Sequence, residues 1–88
     1  MNNERRKQID ALLERLKGLQ EEAAGIQSDL EDVQSDEQDY YDAMPESFQN
    51  SEKGERAMAA LDAIQEAINA IESFDIDGII SSLETAKE

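Results

Sequence analysis

Between Ile9 and Met44, apolar residues recur at alternating steps of three and four: Ile9, Leu12, Leu16, Leu19, Ala23, Ile26, Leu30, Val33, Tyr40 and Met44, with Glu37 the single interruption. This is a heptad pattern with apolar a and d positions, and it makes a helix seek a long, narrow seam. It predicts one helix from about residue 3 to 44. Pro45 closes it, because a proline disfavours helical backbone at the residue before it. Such a helix is ~60 Å long at ~1.5 Å per residue. Gly18 and Gly25 both fall at position c, and each costs ~1 kcal/mol relative to alanine, so bending or fraying is expected there.

After a turn at residues 45–50, a second helix is predicted over 51–73. Ser51 stands at its N-cap position, and Glu52 and Glu55 suit its first turn. Gly54 is expected to weaken that start. One apolar stripe reads Ala57, Leu61, Ile64, Ile68, Ile71, and a second reads Ala60, Ala63, Ala67, Ala70. A face that wide predicts two neighbours. Gly78 and the aspartates around it interrupt the pattern. A short third helix over 76–86 follows, capped by Asp75 or Asp77 and carrying Ile76, Ile79, Ile80 and Leu83.

The fold expected is therefore all-α: a long helix, a second helix folded back on it and a short third, in a coiled-coil or helical-bundle dimer. The dimer follows from length. The second helix, ~33 Å long, reaches back only to about residue 20 of the first. Ile9, Leu12, Leu13, Leu16 and Leu19 are then exposed unless another chain covers them; the third helix could cover part of this region but is short. The expected seam is Ile9, Leu12, Leu16, Leu19, Ile26, Leu30 and Val33.

Composition strengthens the case for assembly. Eighty-eight residues without cysteine or histidine leave neither disulfides nor the usual metal ligands to support a thin core. The net charge is −14, and it is unevenly spread. Residues 1–20 sum to +2, residues 21–52 carry eleven acids and no base, and residues 53–88 sum to −5. An antiparallel homodimer centred near Ile26 would bring Arg5, Arg6, Lys7, Arg15 and Lys17 close to Asp36, Asp39, Asp42 and Glu46 of the other copy. A parallel dimer would stack like charges. Each surface attraction is worth only ~0.2–1 kcal/mol, enough to choose an orientation.

The acidity argues against direct contact with nucleic acid or anionic membranes, which are polyanions, and favours a basic protein as partner. No apolar run approaches the ~20 residues of a membrane span. No signal-type apolar segment follows the basic start, so a cytoplasmic protein is expected.

Glu22, Asp29 and Asp36 form one column of the first helix, Asp32 and Asp39 a second, with Asp42 alongside. Carboxylates along a rod can imitate duplex phosphates, or can simply be a solvated face. Tyr40, Tyr41 and Phe48 gather near Met44 and Pro45. Tyr40 is expected in the core, and Phe48 either plugs the turn or, with Tyr41, forms an aromatic binding tip. Ser73 to Glu84 matches part of a calcium loop, with Asp75, Asp77, Gly78 and Glu84 at suitable spacing. It has Ser73 where the first carboxylate belongs and apolar Phe74 and Ile76 at solvent-facing positions, so a helix cap is the simpler expectation. No cofactor is implied. With no histidine, cysteine or glycine-rich phosphate loop, catalysis finds no support in the chain.

The segment Tyr40-Tyr-Asp-Ala-Met-Pro-Glu-Ser-Phe-Gln-Asn-Ser-Glu-Lys-Gly-Glu-Arg-Ala57, with the Ala/Ile/Glu-rich helix after it, resembles a stretch of small uncharacterised acidic helical proteins of bacteria and phages. The resemblance covers the second half of the chain and transfers no functional residue. It implies a phage or mobile-element origin, where small acidic proteins often inhibit nucleic-acid enzymes of the host. The expected function is non-enzymatic binding of a basic protein, as an inhibitor that mimics nucleic acid through Glu22, Asp29, Asp32, Asp36, Asp39 and Asp42. A coiled-coil scaffold is the alternative, and a degenerate calcium module a distant one.

Overall fold

A computed structural model describes all residues, 1–88. The chain is all-α: α1 (Asn3–Asp42), α2 (Glu46–Gln49), α3 (Glu52–Glu72) and α4 (Ile76–Ala86). None of the helices is long and apolar enough to cross a membrane. The chain divides into two compact units, residues 1–25 with 74–88, and residues 26–73. α1 contributes its first part to one unit and its remainder to the other.

In the first unit, Asn2 opens α1 by accepting a 2.8 Å hydrogen bond from the Arg5 backbone N–H, the usual way to satisfy a donor left free at a helix start. α4 begins at Asp75, whose carboxylate accepts from the Gly78 N–H at 2.9 Å. The break at Phe74 is thus a capped restart, as the two aspartates and Gly78 suggest. α4 presents Ile76, Ile80 and Leu83 to α1, with Ile76 buried. Opposite them Leu13 is 4% exposed, and Ile9 and Leu16 are half-buried. The short last helix therefore covers one edge of the region that length alone left for a second chain. The C-terminal end of α4 meets the basic start of α1. Arg6 donates through Nε to the Lys87 carbonyl at 3.0 Å and through Nη2 to the Glu88 carbonyl at 3.2 Å. These are acceptors that a helix end leaves free and that a cation suits.

In the second unit, α1 stops two residues short of the expected end. The turn contains the single helical turn α2. α3 starts at Ser51, but Ser51 makes no side-chain cap. Its hydroxyl donates instead to the Phe48 carbonyl at 2.6 Å. Gly54 is not a weak point. It is buried, and a Cβ there would overlap the Gln49 carbonyl, so only glycine lets α2 and α3 approach this closely. Ala57, Leu61 and Ile68 are buried, with Met44 beneath the turn. Ile64 and Ile71 are half-buried. The second alanine stripe finds no neighbour: Ala63, Ala67 and Ala70 are exposed.

Candidate functional site

Reading α1 with Ile9 at position a, the residues that face α3 or α4 occupy a and e, not a and d. Position e holds Arg6, Leu13, Gln20, Gln27, Gln34 and Tyr41, and each is at least half-buried. Three of them make a ladder. In the first unit Gln20 donates to the Asp77 carboxylate. In the second unit Gln27 donates to Glu72 at 2.9 Å and Gln34 to the Gln65 side-chain carbonyl at 2.6 Å. Each such bond is worth only ~0.5–1.5 kcal/mol net. Their seven-residue spacing, however, sets the register of α1 against its neighbours. The signal lay in the sequence as glutamines at 20, 27 and 34, but a search for apolar periodicity passes over them.

This register leaves position d uncovered. Leu12 and Leu19 of the first unit are 44% and 47% exposed, and Ile26, Val33 and Tyr40 of the second are 44%, 53% and 47% exposed. The expected seam therefore separates into two classes. Ile9, Leu16 and Leu30 are half-buried against the chain's own helices, whereas Leu12, Leu19, Ile26 and Val33 are free. Tyr40 belongs with the free residues and not to the core, because α3 sits on the a and e side. Beside Leu12 and Leu19, a shallow groove is lined by Leu12, Arg15, Leu16, Leu19 and Leu83.

The acidic residues lie beside this column. Glu22, Asp29 and Asp36 occupy g, next to d. Asp32 and Asp39 occupy c, and Asp42 occupies f; all six are exposed. None is ion-paired, since the two ion pairs are Arg56–Glu52 at 2.5 Å and Lys87–Asp10 at 2.7 Å. The Asp10 carboxylate, by hydrogen bond first and charge second, holds the Lys87 amine above the ordinary lysine range. The basic start of α1 is thus partly committed within its own unit, through Arg6 and through Asp10.

At the turn, Tyr41 is half-buried and its carbonyl accepts from Gln49 Nε2 at 3.1 Å. Phe48 does not plug the turn: it is 52% exposed. Met44 is the buried apolar residue beside the turn. The Lys53 ammonium stands 5.7 Å from the Tyr40 ring centre and 5.9 Å from that of Phe48, within the range of a weak exposed cation–π contact.

Asp75, Asp77 and Glu84 lie at the start and along α4. Residues 76–84 are helical, so they cannot wrap an ion as a binding loop does. Asp75 is occupied by its cap and Asp77 by Gln20. No three acidic side chains in the chain converge on a common point.

Comparison with models of protein families, with curated proteins and with solved structures found no match.

Proposed function

We propose that the chain is a non-catalytic, acidic protein-binding module that docks through exposed d residues of α1, Leu12 and Leu19 in the first unit and Ile26, Val33 and Tyr40 in the second. The observation that carries this reading is that five large side chains, Leu12, Leu19, Ile26, Val33 and Tyr40, recur every seventh residue and stay about half exposed. Scattered exposed leucines need no explanation, but apolar residues held in one register of a helix do. Each has ~1 kcal/mol still to gain from full burial. The fold behind them is thin, with six buried apolar residues and none fully enclosed. The carboxylates at g and c then act on partner choice, repelling acidic surfaces and drawing in basic ones.

A photoreactive side chain placed at Leu19 or Val33 tests the reading. In lysate it should form protein adducts well above those of the same probe at exposed Ala24. Equal labelling at the three positions would refute the docking role.

A second reading, nucleic-acid mimicry, is favoured by the unpaired acids of α1. Nine acids between Glu21 and Asp42 span ~32 Å of helix, one charge per ~3.5 Å. Duplex DNA carries one per ~1.7 Å. At half the density the block is a weaker lure than the duplex, which puts this reading behind the ridge. Its test is a basic partner whose binding weakens steeply with salt and with Asp29→Asn, Asp32→Asn and Asp36→Asn together.

A further inference from the structure

The docking role leaves the chemistry of the partner open, and the inference here rests on that role and narrows it for the first unit. We infer that the groove of this unit takes an amphipathic helix of another protein, one whose apolar stripe is flanked by carboxylates about three turns apart.

The groove lies wholly within the first unit. α4 runs antiparallel to α1 there, since Gln20 meets Asp77 and Arg6 meets the carbonyls of Lys87 and Glu88. Leu12, Leu16 and Leu19 of α1 and Leu83 of α4 line the groove together with Arg15. It continues over α4 from Leu83 to Ser82 and Ile79, and Leu12, Leu19 and Ile79 are each close to half exposed. A trough between two paired helices, with apolar side chains on both walls, is the shape that receives an amphipathic helix. The eleven residues of α4 span ~16 Å, so the contact extends over about three turns of the arriving helix.

Charge selects which helix. On a helix a charged side chain finds its partners three or four residues away. In the first unit Lys7 has Glu4 and Asp10 at such positions, and Lys17 has Glu14 and Glu21. Arg6 and Lys87 are bonded as described above. Arg5 and Arg15 have no acid within reach. The neighbours of Arg5 are Met1, Asn2, Gln8 and Ile9, and those of Arg15 are Ala11, Leu12, Gly18 and Leu19. Both arginines are exposed and neither is ion-paired. Arg15 lines the groove from position g, and Arg5 holds the d position one heptad before Leu12. The cations of this unit that lack a local acid are therefore those on the open edge of α1, ~15 Å apart along the helix. On the α4 wall Ile79, Ser82 and Leu83 carry no charge, and Asp75 at its start is held by its cap. Glu22 is the acid at g in this unit, and it lies past Leu19, at the end away from Arg5. With six basic and nine acidic residues, the first unit holds only −3 of the net −14. At physiological salt, exposed charges further than ~8 Å away are largely screened, so the arginines beside the groove govern what enters it.

The chain has no cysteine, so an environment-sensitive fluorophore on Ser82→Cys of the full chain reports this groove alone. The probes are three synthetic helical peptides of about five turns. They share one leucine stripe and carry glutamate, glutamine or lysine on its flanks. Titrated at ~0.15 M salt, the glutamate peptide should bind roughly fivefold tighter than the glutamine peptide, and the lysine peptide should bind more weakly than either. Arg5→Gln with Arg15→Gln should erase the difference between the glutamate and glutamine peptides. Leu12→Asp should weaken the glutamate peptide by about tenfold or more, with circular dichroism of each variant still helical. No response to the glutamate peptide at ~1 mM, equal affinity for glutamate and glutamine flanks, or a glutamate preference that survives loss of both arginines would overturn the proposal. The photoreactive probe at Leu19 separates this failure from that of the docking role. Adducts above the Ala24 level without a glutamate preference would remove the acidic helix and leave the docking role standing. Labelling no higher than at Ala24, with no peptide bound, would remove both.

Discussion

Glycine at four positions of this chain does three different things, and alanine substitution separates them. Gly54→Ala forces a methyl group onto the Gln49 carbonyl, and rigid backbone cannot give way cheaply. The expected loss is ~1–3 kcal/mol in urea unfolding. Gly18 and Gly25 have open space around them, so alanine at each should stabilise the chain by ~0.5–1 kcal/mol through helix propensity alone. At Gly78 the obstacle is the Asp75 carboxylate, a side chain that can move at the expense of its cap, worth ~1 kcal/mol. The sequence marks all four as helix weakeners. It does not distinguish them, because the difference lies in where α2 returns toward α3 and in where Asp75 turns. Lys87 offers a pH test. Its amine is raised in the folded chain, so its contribution is complete below the ordinary lysine pKa of ~10.4. That contribution is lost as pH climbs through the raised value. Asp10→Asn should return the amine to the ordinary range, read by NMR titration of Lys87, and should abolish the alkaline loss.

Among the elements, helix existence and boundaries were legible, and the facing of α1 was only partly so. Pro45 and the Asp75–Gly78 interruption mark their ends by local chemistry, whereas α3 starts after Ser51 without a side-chain cap from it, and the short α2 lies inside what reads as a plain turn. Three adjacent columns of α1, at d, a and e, carry apolar residues, and heptad counting selects the most regular two. The pairing with α3 and α4 selects a and e instead, because glutamines at e find partners there and Leu13 is buried there. Length alone gave the short last helix only part of the cover, and α4 along the first part of α1 buries Leu13 while Leu12 and Leu19 stay exposed. The two classes of α1 residue should respond oppositely to substitution. Leu13→Ala should cost ~2–5 kcal/mol of stability, as a core truncation does. Leu12→Ser should cost the isolated subunit under ~0.5 kcal/mol and act on association.

For the whole molecule, charge supplies a discriminating measurement. A chain of net charge −14 repels another copy of itself and attracts a basic protein. Added salt should therefore tighten any self-association, whereas it would weaken binding to a basic partner. Titrating sodium chloride against both separates the two by sign. If copies of the chain associate, the melting temperature rises with protein concentration as mass action requires; a melting temperature independent of concentration assigns the exposed d residues to another protein. The division of labour along α1 carries a further consequence. Because one helical edge supports the fold and another stays open, changes to the second are nearly free for the first. Such a scaffold could trade one protein partner for another through a handful of ordinary missense steps, with no unfolded ancestor along the way.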